Sequence, residues 1–381
     1  MKNILFVSHD ANRAGAQILL LRFLRLLKES QDFKFSILLK EGGIIENEFI
    51  EIAPTYFWKK PKLSGKKSFL SKLIKRITNK NRHKINVIET LKKQNFDLIV
   101  SNTTANGDIL PVLKQLNIPI KTYVHELEMG IQQYTKPEYF TNVKTLSNTF
   151  IACAESVKEN LIMNHHIDAT LIKVLPSLLP ESALKYKIDL AVNEKIRNHY
   201  NIPLNAILIG GMGTVDLRKG VDIFLQVASK LKNNSDFFFM WVGGQEKEVE
   251  YKNFLIDKNR LELENIIFQV SVENPLDYLS VFDIFFVSSR EDPYPLVVLE
   301  AAMLSKPVIC FDKAGGAKDF VESDCGVVVE YLNTENVVNN IVALKENKLL
   351  IGQMGGFGRK KVLERHNQSI AFQTFVDILN D

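Results

Sequence analysis

The chain has 381 residues, of which 46% are hydrophobic, so it is long enough for two or three domains that each bury a core. The formal net charge of +4 excludes a protein that binds polyanions over its whole surface, although 11 Lys and Arg residues and no acid fall between Phe57 and Lys84. The cysteines, Cys153, Cys310 and Cys325, lie far apart, which excludes a disulfide framework and fits a reducing cytoplasm.

The N-terminal half alternates strand and helix patterns. The apolar run from Ile4 to Val7 is too short for a secretory signal or a membrane span and predicts a first buried strand. A helix pattern follows, with Leu20, Phe23, Leu24 and Leu27 on one face. The other elements predicted in this half are strands at 35–39, 97–100 and 149–152, and helices near 105–116 and 154–163.

A segment with two prolines, Leu175 to Glu181, interrupts this rhythm and predicts a linker. A second series follows it, with strands predicted at 206–209, 237–242, 266–268, 283–287 and 307–310, and helices near 219–232, 246–259 and 295–304. The alternation predicts right-handed βαβ units and parallel sheets that are buried on both faces.

The fold class predicted from this pattern is α/β, with two Rossmann-like domains. We expect an N-terminal domain at 1–178 and a C-terminal domain at 200–356, with a C-terminal helix at about 357–381 that packs back on the first domain. Open parallel sheets bind ligands at the carboxyl ends of their strands. Two such domains facing each other therefore predict a binding cleft between them.

The proline loop after the predicted strand at 283–287 leads into a helix. Pro295 suits the first helical turn, where its missing N–H costs nothing. The amides of Leu296 and Val297 would then point out of the helix N-terminus, which is a natural anchor for phosphate.

Two acidic residues accompany this helix start. Glu300 follows Leu296 by one turn on the same face, where a carboxylate can accept hydrogen bonds from a ribose diol. Asp292 lies in the loop, where it could meet sugar hydroxyls or a developing positive charge. Each acid alone is more simply interpreted as a helix cap or a surface ion pair. The combination with the proline loop favours a nucleotide-sugar site.

The segment from Ser289 to Ala301, SREDPYPLVVLEA, resembles the Glu-x7-Glu signature of retaining glycosyltransferase family 4, a group 1 family with the GT-B fold. The resemblance implies that Glu300 holds the nucleotide ribose. It also implies that Asp292, which stands where the family has its first Glu, lies near the donor sugar. The implied reaction transfers a hexosyl group from a nucleoside-diphosphate sugar with retention at the anomeric carbon.

A second segment, Ile209 to Asp222, combines a strand, a glycine loop and the pair Arg218 and Lys219 at a helix start. Loop amides and cations can offset the charge of a leaving diphosphate. A solvated helix start is the simpler interpretation, but cations are unfavourable at a helix N-terminus, so the pair predicts a bound anion. The resemblance places a family lysine at Lys219 and makes Arg218 a candidate for a family arginine.

Two segments of the first half resemble the family less closely. Ser8 to Gln17 is similar to its glycine loop, which implies that the backbone at Gly15 approaches the donor phosphates. His125 ends a strand pattern, and the resemblance implies that it faces the donor sugar. We interpret His9 as structural.

The basic segment 59–84 contains an apolar helical stripe surrounded by cations. This pattern is typical of a helix on an anionic membrane surface, and it predicts such contact. An amphipathic helix packed on its own domain explains it equally well. Nucleic acid is not an expected partner, because no recognition motif accompanies the charge.

These observations predict a retaining glycosyltransferase in bacterial cell-surface polysaccharide or glycolipid synthesis. Its substrates would be a nucleotide-sugar donor and a lipid-linked or saccharide acceptor, and its place the cytoplasm or the inner face of the plasma membrane. We expect no cofactor and no metal, since His, Asp and Glu are not grouped at ligand spacing. Two alternatives stay open, a sugar-nucleotide epimerase and a non-catalytic GT-B subunit that binds a partner or glycan. The predicted site residues are His125 and Asp292 as catalytic groups, and Gly15, Arg218, Lys219, Leu296, Val297 and Glu300 as donor-binding groups.

Overall fold

The computed structural model describes residues 1–59 and 82–381. They form two compact units, one of Met1–Pro176 with Phe372–Asp381 and one of Ser177–Ala371. Most of the basic segment 59–84 lies outside the described residues, so its predicted membrane contact stays a prediction.

The first unit is built on a seven-stranded sheet in which every described pair of neighbours is parallel. Its strands are β1 Asn3–Ser8, β2 Lys34–Leu39, β3 Thr55–Phe57, β4 Leu98–Asn102, β5 Ile120–Val124, β6 Thr149–Ala152 and β7 Ile172–Val174. Their order across the sheet is β3-β2-β1-β4-β5-β6-β7.

Helices connect these strands, as parallel pairing requires. They are α1 Gly15–Ser30, α2 Glu46–Ile52, α3 at 82–92, α4 Leu110–Leu113, α5 Glu128–Tyr134, α6 Pro137–Leu146 and α7 Glu155–Met163. The predicted apolar face of α1 is confirmed, because Leu20, Phe23, Leu24 and Leu27 are all buried.

The second unit contains a six-stranded sheet, also parallel throughout, in the order β10-β9-β8-β11-β12-β13. Its strands are β8 Ile207–Met212, β9 Phe237–Val242, β10 Ile266–Gln269, β11 Ile284–Val287, β12 Val308–Phe311 and β13 Gly326–Val329. Its helices are α8 Glu181–Leu184, α9 Leu190–His199, α10 Val221–Lys230, α11 Val249–Arg260, α12 Pro275–Val281, α13 Leu296–Met303, α14 Ala317–Val321, α15 Thr334–Glu346 and α16 Lys348–Arg365.

Alternate residues of the second sheet enter two separate apolar layers. Phe285 and Val308 belong to one layer, whereas their strand neighbours Phe286 and Ile309 belong to the other. Successive side chains of a strand point to opposite faces, so an apolar run buries both faces of the sheet. The predicted parallel sheet buried on both faces is therefore confirmed.

The last helix, α17 Gln368–Asn380, ends in the first unit. The Phe375 ring lies 4.6 Å from the Phe23 ring and 6.2 Å from the Phe6 ring, measured between centroids. Lys2 Nζ donates to the carbonyl oxygen of Leu379 over 2.7 Å. These contacts join the two ends of the chain in one core.

Several element boundaries differ from the sequence prediction. The helix predicted at 105–116 is broken, because a new helix, α4, begins within it at Leu110, with Pro111 in its first turn. The single helix predicted at 357–381 is two, since α16 ends at Arg365 and α17 begins at Gln368. The strands β3, β7 and β13 were not predicted; β3 and β7 have three residues each, too few for a recognisable period.

Within the described ranges, no helix is both long and apolar enough to cross a bilayer.

Replacing Phe375 by Ala should destabilise the first unit by about 3–5 kcal/mol, because it leaves a cavity between Phe6 and Phe23. The matched control is Phe357→Ala in α16, whose side chain is 53% exposed and whose loss should cost under about 1 kcal/mol. Urea-dependent hydrogen exchange of peptides from β1 measures the effect in the correct unit. Equal protection of β1 in the two variants would contradict this account of the core.

Candidate functional site

Helix α13 begins directly after the proline loop that follows β11. Pro295 is its N-cap, not part of its first turn as predicted, and Leu296 and Val297 are its first helical residues. The amides at the start of a helix have no acceptor within the helix, so those of Leu296 and Val297 open toward the loop side. The helix also directs the positive end of its dipole there, which favours an anion.

The loop before α13 carries Asp292, which is paired with Lys219 from the segment before α10. Lys219 Nζ lies 2.5 Å from Asp292 Oδ2, and the two side chains are only 16% and 9% exposed. The Asp292 backbone is fixed as well, since its N–H donates to the carbonyl of Ala314 over 2.6 Å and its carbonyl accepts from Gly316 over 3.2 Å. Two residues predicted independently are thus in direct contact.

A small cavity of the second unit collects several of the predicted residues. Lys219, Asp292 and Val297 line it together with Pro295 and Trp241. A half-buried ammonium, a buried carboxylate and the start of α13 therefore share one space. The cavity lies where β8, β9 and β11 end, which is the edge where parallel sheets bind ligands.

The position of Lys219 depends on the backbone on either side of it. Its N–H donates to Asp216 Oδ1 over 2.7 Å, and its carbonyl accepts from Ser288 Oγ over 3.1 Å. Gly220 follows as the N-cap of α10 with φ +67, and a Cβ there would lie 2.0 Å from the carbonyl oxygen of Ser288. Only glycine fits this close approach, so α10 begins at Val221 and Lys219 precedes the helix that was predicted to start with it.

Arg218 supports the loop around Asp292. Its Nη1 donates to the carbonyl of Glu291 over 3.0 Å, and its own carbonyl accepts from the N–H of Arg290 over 2.8 Å. The structure therefore places its guanidinium beside the loop backbone, while Lys219 reaches Asp292 itself.

Arg290 and Asp222 form a clamp that was missed in the sequence. The guanidinium binds the carboxylate through two hydrogen bonds of 2.7 and 2.6 Å, and Nη1 also donates to the carbonyl of Leu217 over 2.8 Å. The bond to Asp222 raises the pKa of Arg290. A bidentate pair fixes orientation as well as distance, so the clamp aligns the Lys219 segment with the Asp292 loop. The partners are 68 residues apart, and no local pattern indicates their contact.

Glu300 lies on α13, half-buried and one turn after Leu296, as predicted. The loop before it is also held at Tyr294, whose hydroxyl lies 2.9 Å from Nε2 of His366. The other nitrogen of His366 lies 2.9 Å from the carbonyl oxygen of Ser177. Burial lowers the pKa of His366, so the ring is neutral and carries its proton on Nδ1, toward the Ser177 carbonyl.

The first unit has a polar cluster at the carboxyl ends of β4 and β5. His125 Nε2 lies 2.8 Å from Asn102 Oδ1, and the rings of His125 and Tyr123 are 3.9 Å apart. Burial, with a smaller contribution from the charge of His9, lowers the pKa of His125 to about 3. The ring is therefore neutral at physiological pH.

Glu126 and Thr103 shape the backbone of this cluster. Burial raises the pKa of Glu126 to about 7, although its carboxyl group accepts the N–H of His125 over 2.9 Å and that of Thr104 over 3.2 Å. Thr103 has a φ of 77, a strained value for a β-branched residue. Strain of this kind concentrates at functional sites.

His9 is closer to this cluster than its structural interpretation indicated. Its Nδ1 lies 3.2 Å from Thr103 Oγ1 and its Nε2 lies 3.2 Å from Gln17 Nε2. Burial lowers the pKa of His9, and this effect is larger than the opposite effect of the Asp10 charge. The feature of the sequence that could have indicated this role is the position of His9 directly after the end of β1.

Gly15 is the first residue of α1, and a Cβ placed there would meet no atom within 4 Å. The fold itself therefore does not require glycine at this position. The open space beside it is compatible with close approach of a ligand to the backbone, so its predicted role stays a prediction.

Among the residues that the structure describes, no three His, Cys, Asp or Glu side chains lie close enough to hold a metal ion. The predicted independence from metal stays a prediction, as do the roles of the individual site residues.

Replacing Gly220 by Ala should destabilise the second unit by about 1–3 kcal/mol, because alanine would be strained at this φ and would collide with Ser288. The control is Gly356→Ala within α16, where nothing lies within 4 Å and alanine should add about 0.5–1 kcal/mol of helix stability. Urea unfolding measures both. A Gly220→Ala protein as stable as the wild type would refute the close approach.

The neutral state of His125 predicts a pH dependence of stability. Its unfolded pKa of about 6.5 exceeds the folded value of about 3, so acid favours the unfolded chain below pH 6.5. Between pH 7 and pH 5, the wild type should lose about 2 kcal/mol more of its free energy of unfolding than His125→Gln. Urea titrations at the two pH values measure this difference, and parallel pH curves would contradict it.

In comparisons with known protein families, the match falls within the second unit. Residues 192–361 match the family model described as glycosyl transferases group 1. A Staphylococcus aureus poly(ribitol-phosphate) alpha-N-acetylglucosaminyltransferase is 23% identical over 176 residues, which are 45% of this chain and 35% of that protein. The capsular polysaccharide biosynthesis glycosyltransferase CapM of the same species is 22% identical over 234 residues, 60% of each chain. The chain thus spans between a third and two thirds of these relatives' length.

Solved structures resemble the chain over its whole length. HepE of Anabaena, in complex with UDP and glucose, superposes with a TM-score of 0.81 at 17% identity and covers 99% of both chains. WaaG, a glycosyltransferase involved in lipopolysaccharide biosynthesis, superposes with a TM-score of 0.71 at 13% identity, over 98% of this chain and 99% of WaaG. The predicted GT-B fold class, with two parallel-sheet α/β units, is confirmed.

Proposed function

We propose that this protein transfers a hexosyl group from a nucleoside-diphosphate sugar to a hydroxyl acceptor, with retention at the anomeric carbon. The observation that carries the proposal is the shared cavity of Lys219, Asp292 and the start of α13. A cation and a helix N-terminus that converge in a protected space suit a diphosphate better than a neutral ligand.

The chemistry follows from where charge develops. As the bond between the anomeric carbon and the diphosphate oxygen breaks, the oxygen keeps the electron pair and gains negative charge. The Lys219 ammonium and the amides of Leu296 and Val297 stabilise that charge, with Arg218 beside them. The acceptor oxygen bonds to the same face of the sugar, and its proton passes to the departing diphosphate. Because the fold holds these charged and polar groups in place before the reaction, they stabilise the developing charge without having to reorganise.

The remaining site residues position the donor. Glu300 accepts hydrogen bonds from the ribose, and Gly15 leaves room for the phosphates beside the backbone. Asp292 and His125 orient the sugar, and the carboxylate of Asp292 also favours positive charge at the anomeric carbon. Each of these roles is a contact with the donor, so each is tested by measurements with a bound nucleotide sugar.

The proteins that this chain resembles support specific proposals for the donor and the acceptor. UDP is the first nucleotide to test, because HepE was solved with UDP and with UDP-glucose. The names of the relatives describe a poly(ribitol-phosphate) alpha-N-acetylglucosaminyltransferase and glycosyltransferases of O-antigen and capsular polysaccharide biosynthesis. We therefore propose a lipid-linked or saccharide acceptor in cell-surface polysaccharide synthesis. A lipid-linked acceptor would be reached at the inner face of the membrane. We therefore propose that the enzyme acts there and that the basic segment 59–84 binds anionic lipid.

The primary test incubates the purified protein with UDP-, GDP- and dTDP-sugars and a panel of saccharide and lipid-linked acceptors. We expect acceptor-dependent release of one nucleoside diphosphate, and NMR of the product should show the donor's anomeric configuration. Conversion of the donor without an acceptor would favour an epimerase. Donor binding without any turnover would favour a non-catalytic subunit.

The ion pair of Lys219 and Asp292 gives a sharper prediction for UDP affinity. Asp292 competes with phosphate for Lys219, so Asp292→Asn should bind UDP at least as tightly as the wild type while its transfer rate falls. Lys219→Met should weaken UDP binding about tenfold or more, since it loses a charge-assisted hydrogen bond worth about 1.5–3 kcal/mol. Isothermal titration calorimetry measures both.

The control for this experiment is Lys360→Met, which removes the same charge from a lysine that is 71% exposed on α16. Its UDP affinity should equal that of the wild type. If Lys219→Met and Lys360→Met bind UDP equally well, the proposed diphosphate site is wrong.

A further inference from the structure

Asn102 stands at the end of β4 with a fully buried side chain, and both ends of its amide are engaged. Its Nδ2 donates to the carbonyl oxygen of Ala16 over 3.2 Å, and its Oδ1 lies 2.8 Å from Nε2 of His125. A backbone carbonyl can only accept a hydrogen bond, so the amide nitrogen must face Ala16. The amide oxygen therefore faces His125.

This orientation decides which nitrogen of His125 carries the proton. The amide oxygen is an acceptor, so Nε2 must be the donor in the 2.8 Å contact. In a neutral imidazole, the other nitrogen then has a free lone pair. Asn102 thus selects the tautomer in which Nδ1 is an acceptor.

Burial and His9 keep the His125 ring neutral. His9 faces it from the end of β1, and protonation of both rings would place like charges together. The Tyr123 ring lies 3.9 Å from it at a tilt of 46°, and the Glu126 carboxyl group accepts its backbone N–H. Burial opposes the charged form most strongly, and it holds the pKa of His125 far below neutrality.

We propose that Asn102 is a positioning residue that fixes His125 as the Nε2–H tautomer, so that Nδ1 accepts a hydrogen bond from a hydroxyl of the donor sugar. The inference rests on the proposed function for its substrate, but the tautomer is a property of the free protein. It assigns His125 an accepting role and not that of a general acid. A sugar hydroxyl, which can donate, is a suitable partner for such a nitrogen.

Asn106 provides a matched comparison in the same cluster. It is also a fully buried asparagine, and its Nδ2 donates to the carbonyls of Val7 over 3.1 Å and of Asn102 over 2.9 Å. None of its described hydrogen bonds reaches His125. Loss of Asn106 should therefore loosen the same backbone without changing the proton on the imidazole.

The test labels histidine with ¹⁵N and records long-range imidazole correlations of the full chain. The protein has 7 histidines, so the His125 signals are assigned by their loss in His125→Gln. We expect a neutral Nε2–H ring in the wild type from pH 8 to pH 5. Asn102→Ala should give a mixture of tautomers, and Asn102→Asp should raise the pKa into the measured range because a carboxylate favours imidazolium. Asn106→Ala should retain the wild-type tautomer.

An Nδ1–H ring in the wild type, or an unchanged ring in Asn102→Ala, would overturn the proposal. So would the same tautomer change in Asn106→Ala, since it would show a general loosening. Kinetics then test the link to transfer: Asn102→Ala should lower kcat roughly 10- to 100-fold, with UDP affinity unchanged. A wild-type kcat in this variant would remove the positioning role. A wild type that transfers no sugar would instead refute the proposed function, while the tautomer result would stand by itself.

Discussion

Every described strand pair in both sheets is parallel, so within each sheet the carboxyl ends of the strands meet at one edge. Parallel pairing requires a crossover after each strand, and the loops that start these crossovers gather at that edge. Asn102 ends β4 and His125 directly follows the neighbouring strand β5 in the first unit. Lys219 and Asp292 follow neighbouring strands in the second. The candidate sites of both units therefore arise from one topological constraint.

The two candidate sites use different electrostatics. In the second unit, charged groups are paired and at least partly buried, with Lys219 on Asp292 and Arg290 on Asp222. Burial of a charge is tolerated when it is paired and hydrogen-bonded, and a pair that can be opened gives an anion a ready partner. In the first unit, burial keeps the ring of His125 neutral, and polarity comes from hydrogen-bond direction instead.

Under the proposed function, these two kinds of electrostatics suit different parts of a nucleotide sugar. A diphosphate carries charge and needs cations and helix amides, which the second unit offers. A sugar is neutral and is oriented by donors and acceptors, which Asn102 and His125 offer once a tautomer is fixed. Under that proposal, the neutral polar cluster of the first unit would orient the sugar, a role that a search for charged residues in the sequence would overlook.

The sequence by itself determined the parallel α/β units, because apolar runs and helical stripes report burial locally, as for the strand from Ile4 to Val7. It also indicated Lys219, Asp292 and Val297 from short motifs beside strand ends. Only the tertiary structure decided that Lys219 pairs with Asp292, that Arg290 clamps Asp222, and that Asn102 sets the proton on His125. These contacts join segments 23 to 73 residues apart. Local periodicity carries no information about such pairs, because the packing of the whole sheet brings them together.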